Sequence, residues 1–184
     1  MSASDSSRVA YAPGSLVVGP TNLSAAFPHG GTLIGGTNGC ALQCFTGYYP
    51  VTAWEEGGAP VEFIHRGAAW GVGAFLREWD DDALAACFPN TAVGAVSQHR
   101  VVSEPGTRAP GHRLSALAVK LLFVPDDPKR APAWILYKAV PMPKEGTDML
   151  FRHDAELGLE VAFAGILDAS RRVIAIGRIE DLSL

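Results

Sequence analysis

Glycine and proline punctuate this chain so often that long helices have little room to form. Twenty glycines and 13 prolines stand among 184 residues, well above the roughly one in eight of average usage. Each such residue interrupts a helix more severely than it interrupts a short strand bounded by turns. The segments between them fit that reading. Ser15 to Val18 form a short apolar run stopped by Gly19-Pro20. Cys40 to Gly47 and Val51 to Glu56 read as two strands parted by a Gly47-Tyr48-Tyr49-Pro50 turn, and Val61 to Arg66 and Ala69 to Trp79 as two more parted by Gly67. Short strands at intervals of about ten residues are the spacing of a sandwich or barrel. The expected fold is therefore mainly β, a β-sandwich or half-barrel.

One segment has a different period. From Asp80 to Phe88 the spacing is helical, with Leu84, Cys87 and Phe88 on one face as its expected core contacts. Asp80 is a suitable N-cap, Asp81 and Asp82 put negative charge in the first turn, and Pro89-Asn90 ends the helix. Further on, Leu114 to Val124 and Ala133 to Val140 read as apolar strands around Pro125-Asp126-Asp127-Pro128. Leu157, Leu159, Val161 and Phe163 alternate with Glu156, Gly158, Glu160 and Ala162, the pattern of a strand buried on one side. A turn over Asp168-Ala169-Ser170-Arg171 leads to a last strand, Val173 to Gly177. Two stretches, 21–39 and 91–112, read as long loops, and 1–13 as a flexible N-terminal segment. No repeat or composition shift marks a boundary, so 1–184 reads as one domain.

Hydrophobic residues make up 48% of the chain and charged residues 18%, enough apolar material for a sizeable core. The net charge of −4 removes the electrostatic footprint of a nucleic-acid binder. Met1 to Arg8 does not read as a signal or transit peptide, and no apolar run approaches the roughly 20 residues of a membrane-spanning helix. Three cysteines without a leader read as reduced thiols of a chain made in a cytoplasm.

The search for chemistry returns little. None of the five histidines lies two to four residues from another His or a Cys, so no local metal-ligand pair exists. Cys40 and Cys44, four apart on a strand, are about 13 Å from each other, too far for a shared disulfide or zinc ion. Gly30 to Gly36 lacks the Lys-Ser/Thr of a phosphate-binding loop, and no nucleophile elbow or zinc-protease helix is present. A capped helix start explains Asp80 to Asp82 without a metal. No cofactor, metal or catalytic residue is expected, and the chain does not read as an enzyme.

Assembly features accumulate instead. Aromatic residues recur at loop ends: Phe27, Tyr48, Tyr49, Trp54, Trp70, Trp79 and Trp134. Anchors of this type suit protein interfaces. The expected intersubunit contacts are Phe27, Gly30, Gly31, Leu33 and Ile34 in the glycine-rich connection, with Tyr48, Tyr49 and Trp54 beyond it. Cys40, Cys44 and Cys87 are the candidates for a bridge between copies.

The ordered set of features resembles the major tail (tail tube) proteins of long-tailed bacteriophages. Gly14-Ser15-Leu16-Val17-Val18-Gly19-Pro20-Thr21 resembles their opening strand, and Phe27-Pro28-His29-Gly30-Gly31-Thr32-Leu33-Ile34-Gly35 their glycine-rich start, leading to an outgoing strand at Gly39 to Phe45. Pro60-Val61 onward resembles their central strands. Arg77-Glu78-Trp79-Asp80-Asp81-Asp82-Ala83-Leu84 resembles the junction with their single helix. Leu157-Gly158-Leu159-Glu160-Val161 through Asp168, then Ile174-Ala175-Ile176-Gly177, resembles their closing strands. The resemblance implies a virion protein whose hexameric rings stack into a tube for DNA ejection. Its partners would be copies of itself, a terminator, a tape measure, and a sheath or distal tail protein. A negative lumen would let DNA slide past without binding. The competing readings are a tail terminator or head–tail connector ring, and a carbohydrate-binding β-sandwich module.

Overall fold

The computed structural model describes residues 13–52, 57, 59–77, 81–88, 91–93, 100–102, 113–142 and 158–184. Strand β1 (Gly14–Val18) lies between β2 (Thr32–Thr52) and β6 (Val119–Pro125), antiparallel to both. Strand β2 pairs on its other side with β3 (Pro60–Leu76), and β3 with β8 (Leu159–Gly165). Strand β7 (Ala133–Pro141) pairs with both β6 and β8. The ladder therefore returns to its starting strand, through β6, β1, β2, β3, β8 and β7. A mainly β chain rolls its sheet closed and so covers the edges of the body.

Strand β9 (Ile174–Gly177) follows β8 along the same edge of β7, where Leu136 pairs with Ile174 and Ala139 with Gly165. The turn between them lies where the sequence predicts. Arg172 donates from its backbone N to Asp168 Oδ1 at 2.7 Å and from Nε to Oδ2 at 2.9 Å, and its guanidinium sits 3.9 Å from the Tyr137 ring centroid. Burial pulls the Asp168 carboxyl upward, but its bonds to Arg172, the Arg172 charge and a Ser170 amide together hold it below the usual carboxylate range.

The core fills the inside of this roll. Leu16, Ile34, Val72, Leu76, Leu121, Leu136, Leu159 and Val161 pack there, with Phe123 stacked on Trp134 at 5.5 Å between centroids. The expected helix is present as α1 (Asp81–Cys87). It covers one end of this core with fully buried Ala83 and buried Cys87, whereas Leu84 and Phe88 are only half-buried. On the outer side, Val17, Leu122, Ile135 and Tyr137 form a second cluster under Ile179, Leu182 and Leu184.

Five sequence expectations are corrected. The turn expected at Gly47 to Pro50 is unbroken strand. So is the break expected at Gly67, which takes a positive φ of 112° and forms a bulge beside the Gly47/Tyr48 register shift. Pro50 is tolerated because β2 is paired on one side only at that point. The loop expected over 21–39 ends at Gly31, and the remainder is β2. Residues 91–112 contain a two-stranded ribbon, β4 (Thr91–Val93) with β5 (Arg100–Val102). Finally, Leu114–Leu117 is a 3-10 turn preceding β6, because a short apolar run carries no period that separates strand from helix. The expected flexible segment lies outside the described residues, apart from Pro13.

Candidate assembly interface

Strands β2 and β3 are 21 and 17 residues long, far more than the body requires. Strand β1 pairs β2 only as far as Thr37, and β8 pairs β3 only from Trp70 onward. Beyond those points the two strands continue with each other alone, from Phe45↔Ala69 to Thr52↔Pro60. The result is a two-stranded arm, Phe45 to Thr52 against Pro60 to Ala69, that spans about 30 Å at ~3.4 Å per residue. Both of its outer edges lack a partner strand among the described residues.

The arm's side chains are not those of a solvated ribbon. Phe45, Tyr48, Tyr49, Val61, Phe63 and Ile64 are each more than half exposed. Register and period-2 alternation divide them between two faces. Tyr48 opposite His65 and Pro50 opposite Phe63 share one face, with the Tyr48 and His65 rings 5.7 Å apart. Tyr49 opposite Ile64 lies on the other face, where the Arg66 guanidinium is 5.6 Å from the Tyr49 ring centroid. Phe45 belongs to the same face as Tyr49. Adjacent Tyr48 and Tyr49 therefore do not form a common stacking platform of the kind a sugar ring needs.

Together these six residues expose on the order of 600 Å² of apolar side chain, given ~150–250 Å² for a full aromatic. Divided between the two faces, that is roughly 300 Å² a side, comparable to the largest apolar patch on a typical monomer, which is often functional. Burying it is worth on the order of 10 kcal/mol at ~25 cal/mol/Å² before the costs of association.

The other expected contacts are distributed differently. Phe27 and Leu33 are exposed, 48% and 39% respectively. Ile34 is buried in the core and is not available to a neighbour. The glycine-rich connection closes on itself. The amides of Thr21 and Asn22 both donate to the His29 carbonyl at 3.1 Å, His29 Nδ1 lies 2.9 Å from the Ala25 carbonyl oxygen, and the Phe27-Pro28 peptide is cis. Gly31 is needed within the protomer, since a Cβ there would come within 2.7 Å of Val17 Cγ1 and of the Val18 carbonyl. Gly30 turns the chain with φ 70° beside Thr21. Trp54 lies outside the described residues.

Tyr48 and Tyr49, two of the contacts expected from the sequence, are exposed on the arm, and Phe45, Val61, Phe63 and Ile64, which the sequence reading did not single out, are exposed with them. The available signal was Val61 to Ile64 carrying three large apolar residues in four positions without a second strand of matching burial.

The three cysteines are free. Burial pushes the Cys40 and Cys87 thiols up to about 12, while Cys44 is exposed at the root of the arm. Among the described residues no group of His, Cys, Asp or Glu is arranged to hold a metal, and no helix is long and apolar enough to cross a membrane. No protein-family model matches the chain, and no curated protein matches it.

Proposed function

We propose that the chain is a tail tube subunit of a long-tailed bacteriophage, forming hexameric rings that stack into the channel for DNA ejection. The observation that carries this reading is the β2–β3 arm, open along both edges among the described residues and apolar on both faces. The body supports it by contrast, since a sheet that closes on itself leaves most unmet pairing capacity in the arm. An arm that pairs edge to edge with the arms of neighbours extends the sheet from copy to copy, and six copies related by rotation close it into a ring. The net charge of −4 suits a lumen through which phosphate must slide. This role requires no catalytic residue or cofactor. Its partners are copies of the chain first, then terminator, tape measure and sheath or distal tail proteins, within the virion tail.

Negative-stain microscopy of the purified chain at high concentration tests the proposal. Filaments with a central channel are expected. Isolated rings that never stack would assign the chain to a terminator or connector, and dispersed monomers would overturn ring formation altogether.

A further inference from the structure

The arm is not uniform along its length. On the body side, Phe45 leans back over Gly71, where an added Cβ would lie 3.9 Å from Phe45 Cε2, and Cys44 Sγ is 3.9 Å from Thr46 Oγ1. On the outer side, the Tyr48 and His65 rings meet across the strands at 5.7 Å between centroids. The Arg66 guanidinium there reaches to 5.6 Å from the Tyr49 ring centroid. Each block is tied together by its own side chains. Between them stands the pair Gly47↔Gly67, which has no side chain on either strand.

Three further features coincide at that pair. The register shifts between Gly47 and Tyr48, which leaves Arg66 without a partner residue on β2. A bulge of this kind interrupts the ladder and bends the strand. Gly67 takes a φ of 112°, and a Cβ there would meet nothing within 4 Å, so it is the backbone conformation and not crowding that calls for glycine. Finally, β1 stops pairing with β2 at Thr37 and β8 stops pairing with β3 at Trp70. Among the described residues no strand braces the glycine pair from either edge.

We propose that Gly47 and Gly67 form a hinge, about which the outer arm, Tyr48 to Thr52 with Pro60 to Arg66, turns as one unit on the body. Hinges concentrate the φ/ψ change in a few residues. Two facing glycines at a bulge are where this ladder can bend without dragging one side chain past another. The outer arm extends about 17 Å beyond the pair at ~3.4 Å per residue, so a small rotation at the glycines carries its end through several ångströms. The exposed apolar residues can thus be aimed at a range of angles while the closed sheet of the body stays undisturbed. The hinge is a property of the protomer and stands whether or not the chain forms a tube.

Spin labels test it in the full-length monomer in dilute solution. One label goes on the exposed native Cys44 and one on a Thr52→Cys substitution, with Cys40→Ala and Cys87→Ala removing the other thiols. The two labels straddle the hinge at about 27 Å along β2, taking ~3.4 Å per residue. Pulsed dipolar spectroscopy is expected to give a broad distance distribution. Gly47→Val should narrow it about twofold, because a β-branched residue restricts the backbone there while its Cβ meets Arg66 Cβ at an ordinary 3.5 Å. Gly47→Thr serves as the second stiffening variant should the first lower the thermal melt. A wild-type distribution as narrow as that of the stiffened chains would overturn the hinge. A broad distribution that persists in both variants would overturn its assignment to this glycine pair. Absence of filaments from the wild-type chain would overturn the tube reading and leave these distances unchanged.

Discussion

At the base of the β2–β3 ladder, Val72 and Leu76 sit in the core almost out of contact with water; at its outer end, Phe63 and Ile64 of the same strand are 60% and 53% exposed. Base and tip are both rich in apolar residues and belong to one register of antiparallel pairs. They differ in what lies across from them. The base faces β1, β6 and α1, whereas the tip has no neighbour on either face or either edge among the described residues. Hydrophobicity in a strand thus records that cover is needed and does not record whether that cover comes from the same chain.

The sharpest way to break this comparison is to remove equivalent apolar volume at each end. Leu76→Ala at the fully buried base is expected to cost about 2–5 kcal/mol, because it leaves a cavity that a closed sheet cannot collapse around. Chemical denaturation of the monomer measures it. A loss under 1 kcal/mol would show that the base of the ladder is loosely packed, and the contrast with the tip would weaken. Leu84→Ala on α1 falls between the two ends. Its side chain is half-buried against the core, so about 1 kcal/mol is expected, less than its helical spacing with Cys87 and Phe88 suggests.

Phe63→Ser at the tip should behave in the opposite manner. The exposed ring contributes within about 0.5 kcal/mol to the isolated protomer, so the melting temperature should stay nearly fixed while assembly is lost. A variant that melts several degrees lower would mean that Phe63 is covered within its own protomer. A variant that assembles normally would remove this arm face from the interface.

The same distinction explains what could be read from the residues alone. Strands β7, β8 and β9, the turn at Asp168 to Arg171 and the helix at Asp81–Cys87 all follow from local period and capping. So does the mainly β character, from glycine and proline density. The long ladder was not legible because Gly47, Pro50 and Gly67 carry the same local signal whether they turn the chain or interrupt a continuing strand. Only the partner strand decides, and pairing of Gly47 with Gly67 spans twenty residues of sequence. Ile34 shows the converse error. Its glycine neighbours read as loop, yet β1 on one side and the core on the other make it strand. The exposed apolar surface of the arm was half legible, since Tyr48 and Tyr49 stand out in the sequence but Phe45 and Phe63 look like ordinary core residues until their surroundings are known.

The smallest expected effect is chemical, and it reads the boundary between base and tip directly. Cys40 and Cys44 are four residues apart on β2, the first part-buried in the base and the second exposed at the last pair before the free arm. Burial pushes the Cys40 thiol up to about 12, and the Cys87 thiol likewise, so at pH 8 neither supplies appreciable thiolate to an electrophile. Cys44 is exposed, with Thr46 Oγ1 3.9 Å from its sulfur. A maleimide added to the monomer at pH 8 should therefore give a single rapid adduct at Cys44, visible by intact mass, and three adducts after denaturation. Cys44→Ser should abolish the rapid adduct. Only Cys44 is then placed to bridge copies, so a ladder of multimers on non-reducing electrophoresis of particles kept in air should disappear with the same substitution. Rapid labelling of Cys40 in the native monomer would mean that the base of the ladder opens readily, and that the free arm begins nearer the body than Phe45.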